Sequence, residues 1–210
     1  MSVHPLRLRV AVMAALSAVS ILTAGSGALA APDGGDPALG HVEALDSALL
    51  EAMKGGHALG AKGRYRKLTP VVQSAFDLPL MTRFAVGPAW TRMSDGEHQA
   101  LIQAFTRLSI ANYAHNFDAY GGERFVIEPN VQTRGLDKIV QTRLIVPKGA
   151  PTTLTYRMRQ TPGGWKIVDV YYGAVSQLTT RRADFAGPLA AGGAKGLLTH
   201  LDSLTAKLLE

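Results

Sequence analysis

The hydrophobic period of this chain changes at Arg124, and that change constrains the fold more than any single motif. Before it, apolar residues recur at helical spacing: Val42, Leu45, Leu49 and Met53, then the clusters Leu68 to Phe76 and Leu78 to Val86, then Leu101, Phe105, Leu108, Tyr113, Phe117 and Tyr120. After it they alternate: Phe125 and Ile127; Val140, Leu144 and Val146; Leu154, Tyr156 and Met158; Trp165, Ile167 and Tyr171. Helical spacing returns from Ala174 to Phe185 and from Leu197 to Leu209. Helices, then four antiparallel strands, then helices predict an α+β domain, with the helices covering one face of the sheet.

Punctuation sets the boundaries. Gly55-Gly56 ends the first helix, Asp77 and Pro79 join two short ones, and Pro70 is expected in a first helical turn. Ser94-Asp95-Gly96-Glu97 has the spacing of a capping box, so a long helix starts there and runs to Gly121-Gly122. Arg134-Gly135, Pro147-Lys148-Gly149 and Thr161-Pro162-Gly163-Gly164 are turn sequences, which makes a meander the economical strand order. A glycine-rich linker around Gly192-Gly193 separates the last two helices. No internal repeat is visible.

The N-terminus reads as a removable signal peptide. Arg7 and Arg9 precede an apolar run from Val10 to Leu22 that is too short to span a bilayer, and Ala28-Leu29-Ala30 has the A-x-A cleavage pattern. The expected organisation is a signal peptide over residues 1–30, a polar leader over 31–38 and one domain over 39–210, with a periplasmic destination. Removing the first thirty residues lowers the formal charge from +6 to +4. That mild basicity suits solubility or anionic headgroups and, with no nucleic-acid motif beside it, is a poor argument for DNA or RNA. The chain has no cysteine, so packing rather than disulfides must stabilise it, and neither a lipoprotein anchor nor a thiol nucleophile is available.

Catalytic signatures are absent. There is no G-x-S-x-G, no phosphate-cradling glycine loop and no H-E-x-x-H; His41, His57, His98 and His200 lack metal-ligand spacing. His115 and Asp118, three apart on the expected long helix, are the only acid–base pair an enzyme reading could use, and such a pair is ordinarily solvated. No catalytic residue, metal or cofactor is expected. Asp169, in a strand among apolar neighbours, is expected to accept hydrogen bonds or to meet an arginine, because an unpaired buried carboxylate is costly. Trp165 is expected to close the core.

Two stretches carry a family likeness. Phe76-Asp77, Met81, Gly87, Trp90, Ser94, Glu97, Phe105, Leu108 and Tyr113 form a long gapped pattern, and Trp165, Asp169, Val170, Ser176, Arg182 and Phe185 continue it. Over residues 65 to 186 the chain resembles the MlaC or toluene-tolerance auxiliary family of periplasmic lipid-binding proteins. The ending Thr180-Arg181-Arg182-Ala183-Asp184-Phe185 is most similar to its HpnM branch, associated with hopanoid gene clusters. Tyr171-Tyr172-Gly173 is one residue shorter than the common family form, compensated by Ala174.

The resemblance implies a lipid carrier, holding a hopanoid or a phospholipid in an apolar cavity between sheet and helices, exchanging it with inner-membrane and outer-membrane transport proteins and acting as a monomer. Energetics agree with the role. A sixteen-carbon tail leaving a membrane for water meets a barrier of about 12 kcal/mol at ~0.8 kcal/mol per methylene, and a shielding cavity removes it. The candidate walls are Val72, Phe76, Leu80, Met81, Phe84 and Trp90 on the short helices, Phe105, Leu108, Tyr113 and Phe117 on the long one, and Leu144, Val146, Tyr156 and Met158 on strands. Ordinary core packing is the alternative for each. Tyr113 and Tyr156 suit a pocket mouth, where a ring can face the tail and a hydroxyl the water. Arg181 and Arg182 are candidates for a lipid phosphate or an acidic partner, against the alternative of a solvated helix face. An adaptor that binds protein without lipid would instead have its cavity filled by side chains.

Overall fold

The computed structural model describes residues 35–210, so the expected signal peptide and the first half of the expected leader lie outside the described residues, and the leader's last two residues, Pro37 and Ala38, already belong to the first helix. The chain forms four helices and a six-stranded antiparallel sheet. Helix α1 is Pro37–Ala75, α2 is Leu78–Val86, and a 3-10 segment, Gly87–Arg92, leads to α3, Asp95–Asn116. Strands β1 (Arg124–Ile127), β2 (Gln132–Arg134), β3 (Asp137–Ile145), β4 (Thr152–Thr161), β5 (Gly164–Tyr172) and β6 (Val175–Ser176) follow, and α4, Gln177–Leu208, closes the chain.

The sheet is the expected meander with two strands more than expected. Its order is β1-β3-β4-β5-β6, and β2 lies beyond β1 along the same edge of β3. β1 and β2 pair with opposite halves of β3 because residues 129–131 leave the ladder between them, after Glu128 N–H donates to the Gln141 carbonyl at 2.9 Å. β6 was hidden in a stretch read as helix: Gly173, at φ 58°, turns the chain so that Val175 and Ser176 fold back on β5.

Alternation predicts the inner face correctly on β3 and β4, where Val140, Leu144, Leu154, Tyr156 and Met158 are buried. On β5 it fails. Met158 pairs with Ile167 but Arg157 pairs with Asp169, so Val168 is an extra residue and the facing reverses. Val170 and Tyr172, not Tyr171, therefore point at the helices. Trp165 packs against the core from its edge, half-buried, with the Lys138 ammonium 4.6 Å from its ring centre.

The helices also depart from the expected boundaries. α1 breaks at Gly56 (φ 43°, ψ −134°) and Gly60 (φ 61°, ψ 174°), then resumes as far as Ala75. Pro70 therefore sits well inside a helical run rather than in its first turn, because Arg64, Leu68, Val72 and Ala75 continue one buried stripe. α3 begins at the predicted capping box, with Glu97 N–H donating to Ser94 Oγ and Ser94 N–H to the Glu97 carboxylate. It ends at Asn116 instead of Gly121, leaving Phe117 as its cap and Tyr120 outside. α4 starts at Gln177 and bends at Gly192 and Gly193, and the segment beyond docks on α3 through buried Leu197 and Leu201 and an Arg107–Asp202 ion pair of 2.8 Å. Among the described residues no helix is long and apolar enough to cross a membrane.

Candidate functional site

Where the second half of α1, all of α2, α3, β5 and the first turns of α4 meet, they leave a cavity of about 100 Å³. Its floor follows from spacing. Val72 and Phe76 are four apart, Leu78 and Met81 three apart, and Val170 and Tyr172 alternate on β5 beyond the bulge. The α3 wall mixes types along one face: Phe105 and Tyr113 are aromatic, while Ser109, Asn112 and Asn116 are polar. Gln177, Leu178 and Arg181 of α4 complete the lining, with the Arg181 side chain about a third exposed.

Two carboxylates fix the helix starts that frame this space. Asp77 Oδ1 accepts from Leu80 N–H at 3.0 Å, and the Asp77 N–H donates to the Ile167 carbonyl at 2.9 Å, tying α2 to β5. Asp169 accepts from Leu178 N–H at 3.1 Å, Ser176 Oγ at 2.7 Å and Val170 N–H at 2.8 Å, tying α4 to β5. Asp169 thus meets the expectation of a hydrogen-bonded carboxylate, with no arginine needed. Aromatic rings lead away from the cavity in sequence: Phe76 to Tyr113 at 5.6 Å, Tyr113 to Phe117 at 6.0 Å, Phe117 to Phe125 at 6.3 Å.

Behind the wall lie two charged side chains that sequence reasoning missed. Asp46, 3 % exposed, receives the Tyr156 hydroxyl at 3.4 Å on one oxygen and has no partner for the other. Burial pushes its carboxyl up to about 7, the Tyr156 bond opposing and Glu43 assisting. Arg64 donates to the Ala114 carbonyl at 2.7 Å and to the Gly56 carbonyl at 2.8 Å, so it pins the α1 break to the C-terminal turn of α3. There it also meets the negative end of that helix. The signal was available: Asp46 is four residues after Val42 and three before Leu49, and Arg64 is four before Leu68, both inside apolar stripes.

Of the fourteen candidate wall residues, the cavity brings together Val72, Phe76, Met81, Phe105 and Tyr113. Leu108, Leu144, Tyr156 and Met158 are core residues packed between sheet and helices, at most 5 % exposed. Tyr156 is consequently no mouth residue; its hydroxyl is spent on Asp46. Phe117 stacks between Tyr113 and Phe125, and Val146 lies just past the end of β3. Trp90 stacks on His98 with ring centres 3.9 Å apart. Leu80 and Phe84 lie on the outer side of α2, and Phe84 is 48 % exposed. The cavity is compact, and these core side chains fill the layer beside it.

Arg181 reaches the cavity, its nearest carboxylate Asp184 lying 3.6 Å away. Arg182 does not; its guanidinium lies across Gly87, only 3.1 Å from where a Cβ would stand. The supposed acid–base pair is not assembled either, since His115 is exposed on the last turn of α3 and Asp118 lies beyond the helix end. Among the described residues no cluster of three or more His, Cys, Asp or Glu could hold a metal ion. An apolar floor under a lip of amides and one guanidinium suits a molecule with an apolar tail and a polar or anionic head.

Residues 43–203 match the model of a protein family described as MlaC protein. The chain is also similar to a solved structure of a phospholipid-binding protein from Ralstonia solanacearum in complex with a phospholipid: TM-score 0.70 at 24 % identity, covering 83 % of this chain and 100 % of that one. That likeness establishes a shared fold.

Proposed function

The chain belongs to the MlaC family, and from that premise we propose that it is a periplasmic carrier that shields one phospholipid at a time and passes it between inner-membrane and outer-membrane transport proteins. The observation that carries this reading is the cavity itself, apolar at Val72, Phe76, Leu78, Met81, Phe105 and Val170 and lipped by Asn116, Gln177 and Arg181. The phospholipid held by the protein of similar fold supports the cargo class. The A-x-A sequence after a short apolar run supports the compartment. Tails lie on the floor and the headgroup at the lip, where Arg181 offers two parallel donors to a phosphate. The Thr180-to-Phe185 ending supports placement in the HpnM-like branch and makes a hopanoid the second cargo to test. No step in this role requires catalysis.

A cavity of about 100 Å³ holds roughly three water volumes, whereas sites for drug-sized ligands span about 300–1,000 Å³. Loading therefore requires outward movement of a wall. The first half of α4 is the wall best built for it: Gly192 and Gly193 separate it from the docked second half, and it meets the sheet through the Asp169 cap. The same small volume favours a second reading, an adaptor with no cargo.

A block of the cavity separates the two. Ser109→Trp places an indole in the space from a position that is only half-buried. The expected result is a folded protein with at least ten-fold less bound phospholipid by extraction and mass analysis, and Arg181→Gln is expected to weaken retention of anionic headgroups several-fold. Unchanged lipid content in folded Ser109→Trp would remove this cavity from the lipid path.

A further inference from the structure

Two residues expected to face the cargo face outward instead, and their surroundings give them another use. Leu80 and Phe84 are four apart on α2, which places them on one stripe of the helix; Leu80 is half-buried and Phe84 is 48 % exposed. The opposite stripe of the same helix, Leu78 and Met81, lines the cavity. Val175 is 54 % exposed on β6, two residues before the lip residue Gln177. These apolar side chains therefore flank the cavity on α2 and on the short strand that leads into α4, and Arg182 of α4 packs over Gly87 at the end of α2.

Two stretches of chain here carry charge of one sign, with Asp77, Asp95 and Asp184 just outside them. Between Leu78 and Ser94, and again between Val170 and Ala183, there is no acidic residue, and the two segments carry Arg83, Arg92, Arg181 and Arg182. Among the described residues Arg83, Arg92 and Arg182 make no salt bridge, and Arg181 has only Asp184, at 3.6 Å. Gly87 allows the arrangement: its φ of 67° suits glycine, and a side chain there would displace the Arg182 guanidinium. An exposed aromatic ring beside unpaired arginines is the composition of a surface that lies on anionic headgroups with its ring at the acyl boundary.

We propose that the outer stripe of α2, with Arg83 and Arg182, is a docking face for an anionic bilayer, which sets the cavity lip against the membrane during loading and release. The proposal rests on the carrier reading and names the partner of its site. Each arginine near an anionic surface adds about five-fold to adsorption, and the effect fades within a Debye length, so it is lost at high salt.

The test is flotation of the full mature chain with vesicles of phosphatidylcholine alone or with 30 % phosphatidylglycerol, at low and at 0.5 M salt, run beside bound-lipid analysis of the same samples. The expected result is adsorption only to the phosphatidylglycerol vesicles at low salt, reduced about 20-fold in Arg83→Gln/Arg182→Gln and several-fold in Phe84→Ala, with thermal stability and pre-bound lipid unchanged. The exposed positions make misfolding an improbable cause of loss, and Arg83→Lys/Arg182→Lys restores the charge as a control. Equal adsorption to neutral vesicles, or variants that adsorb like the parent, would overturn the docking face. A parent protein that carries lipid yet floats with neither vesicle would also overturn it, assigning the patch to an acidic protein partner and leaving the carrier reading intact. A protein that floats as expected but never holds lipid would support the face and remove the cargo reading.

Discussion

Asp46 is a buried carboxylate that makes stability depend on pH. Its unfolded-state value is 3.8 and burial raises it to about 7 in the folded protein. The native state therefore binds an extra proton between those two values. Stability from this group is fully present below about pH 4, falls as pH rises toward 7 and is level above, a total on the order of 4 kcal/mol. Replacing Asp46 with Asn removes the titration: the variant is expected to lose most of the downward slope between pH 4 and 7 in chemical denaturation and to be more stable than the parent at pH 8. An unchanged slope would show that another group controls it. Asp46 was legible in the sequence as a carboxylate within an apolar stripe. Its partner was not, since Tyr156 is 110 positions away and only the packing of α1 on the sheet brings them together. For the same reason Tyr156 could be read as amphipathic but not placed: alternation gives the face of a strand, not what stands above it.

At the scale of elements, glycines set the geometry. Gly193, at φ 55° and ψ −144°, lies where side chains are strained, so Gly193→Ala is expected to destabilise the protein by about 1–3 kcal/mol and to loosen the second half of α4, read as faster amide exchange from Leu197 to Leu208. Exchange rates equal to the parent's there would show the bend to be tolerant. The bend itself was legible, because Gly192-Gly193 interrupts two helical patterns; so were the α3 start, from its capping box, and three of the turns. What local pattern could not reveal was each place where a long-range contact decides. The β5 bulge reverses facing after Ile167, and only the register against β4 exposes it. Past its glycine breaks α1 is held by Arg64, which bonds Gly56 on its own helix and Ala114 fifty residues further along the chain. β6 exists because Val175 and Ser176 return to β5, a pairing too short to give a period.

For the whole molecule, the layered α+β arrangement followed directly from the change of period, whereas the cavity did not. Five of the fourteen proposed wall residues line it, and the polar side of its lining, Ser109, Asn112, Asn116 and Gln177, went unread because the search followed apolar residues. An amphipathic ligand needs both kinds, and the polar stripe on α3 recurs at the same three and four spacing that marked Phe105. Opening of the α4 wall and exchange of cargo both depend on one central claim, that the cavity accommodates a lipid. Native mass spectrometry of the protein, purified without detergent and followed by extraction of whatever is bound, tests it most directly. The account predicts a one-to-one complex whose added mass is that of a phospholipid, lost in Ser109→Trp; protein that is empty and takes up neither added phospholipid nor hopanoid would contradict it.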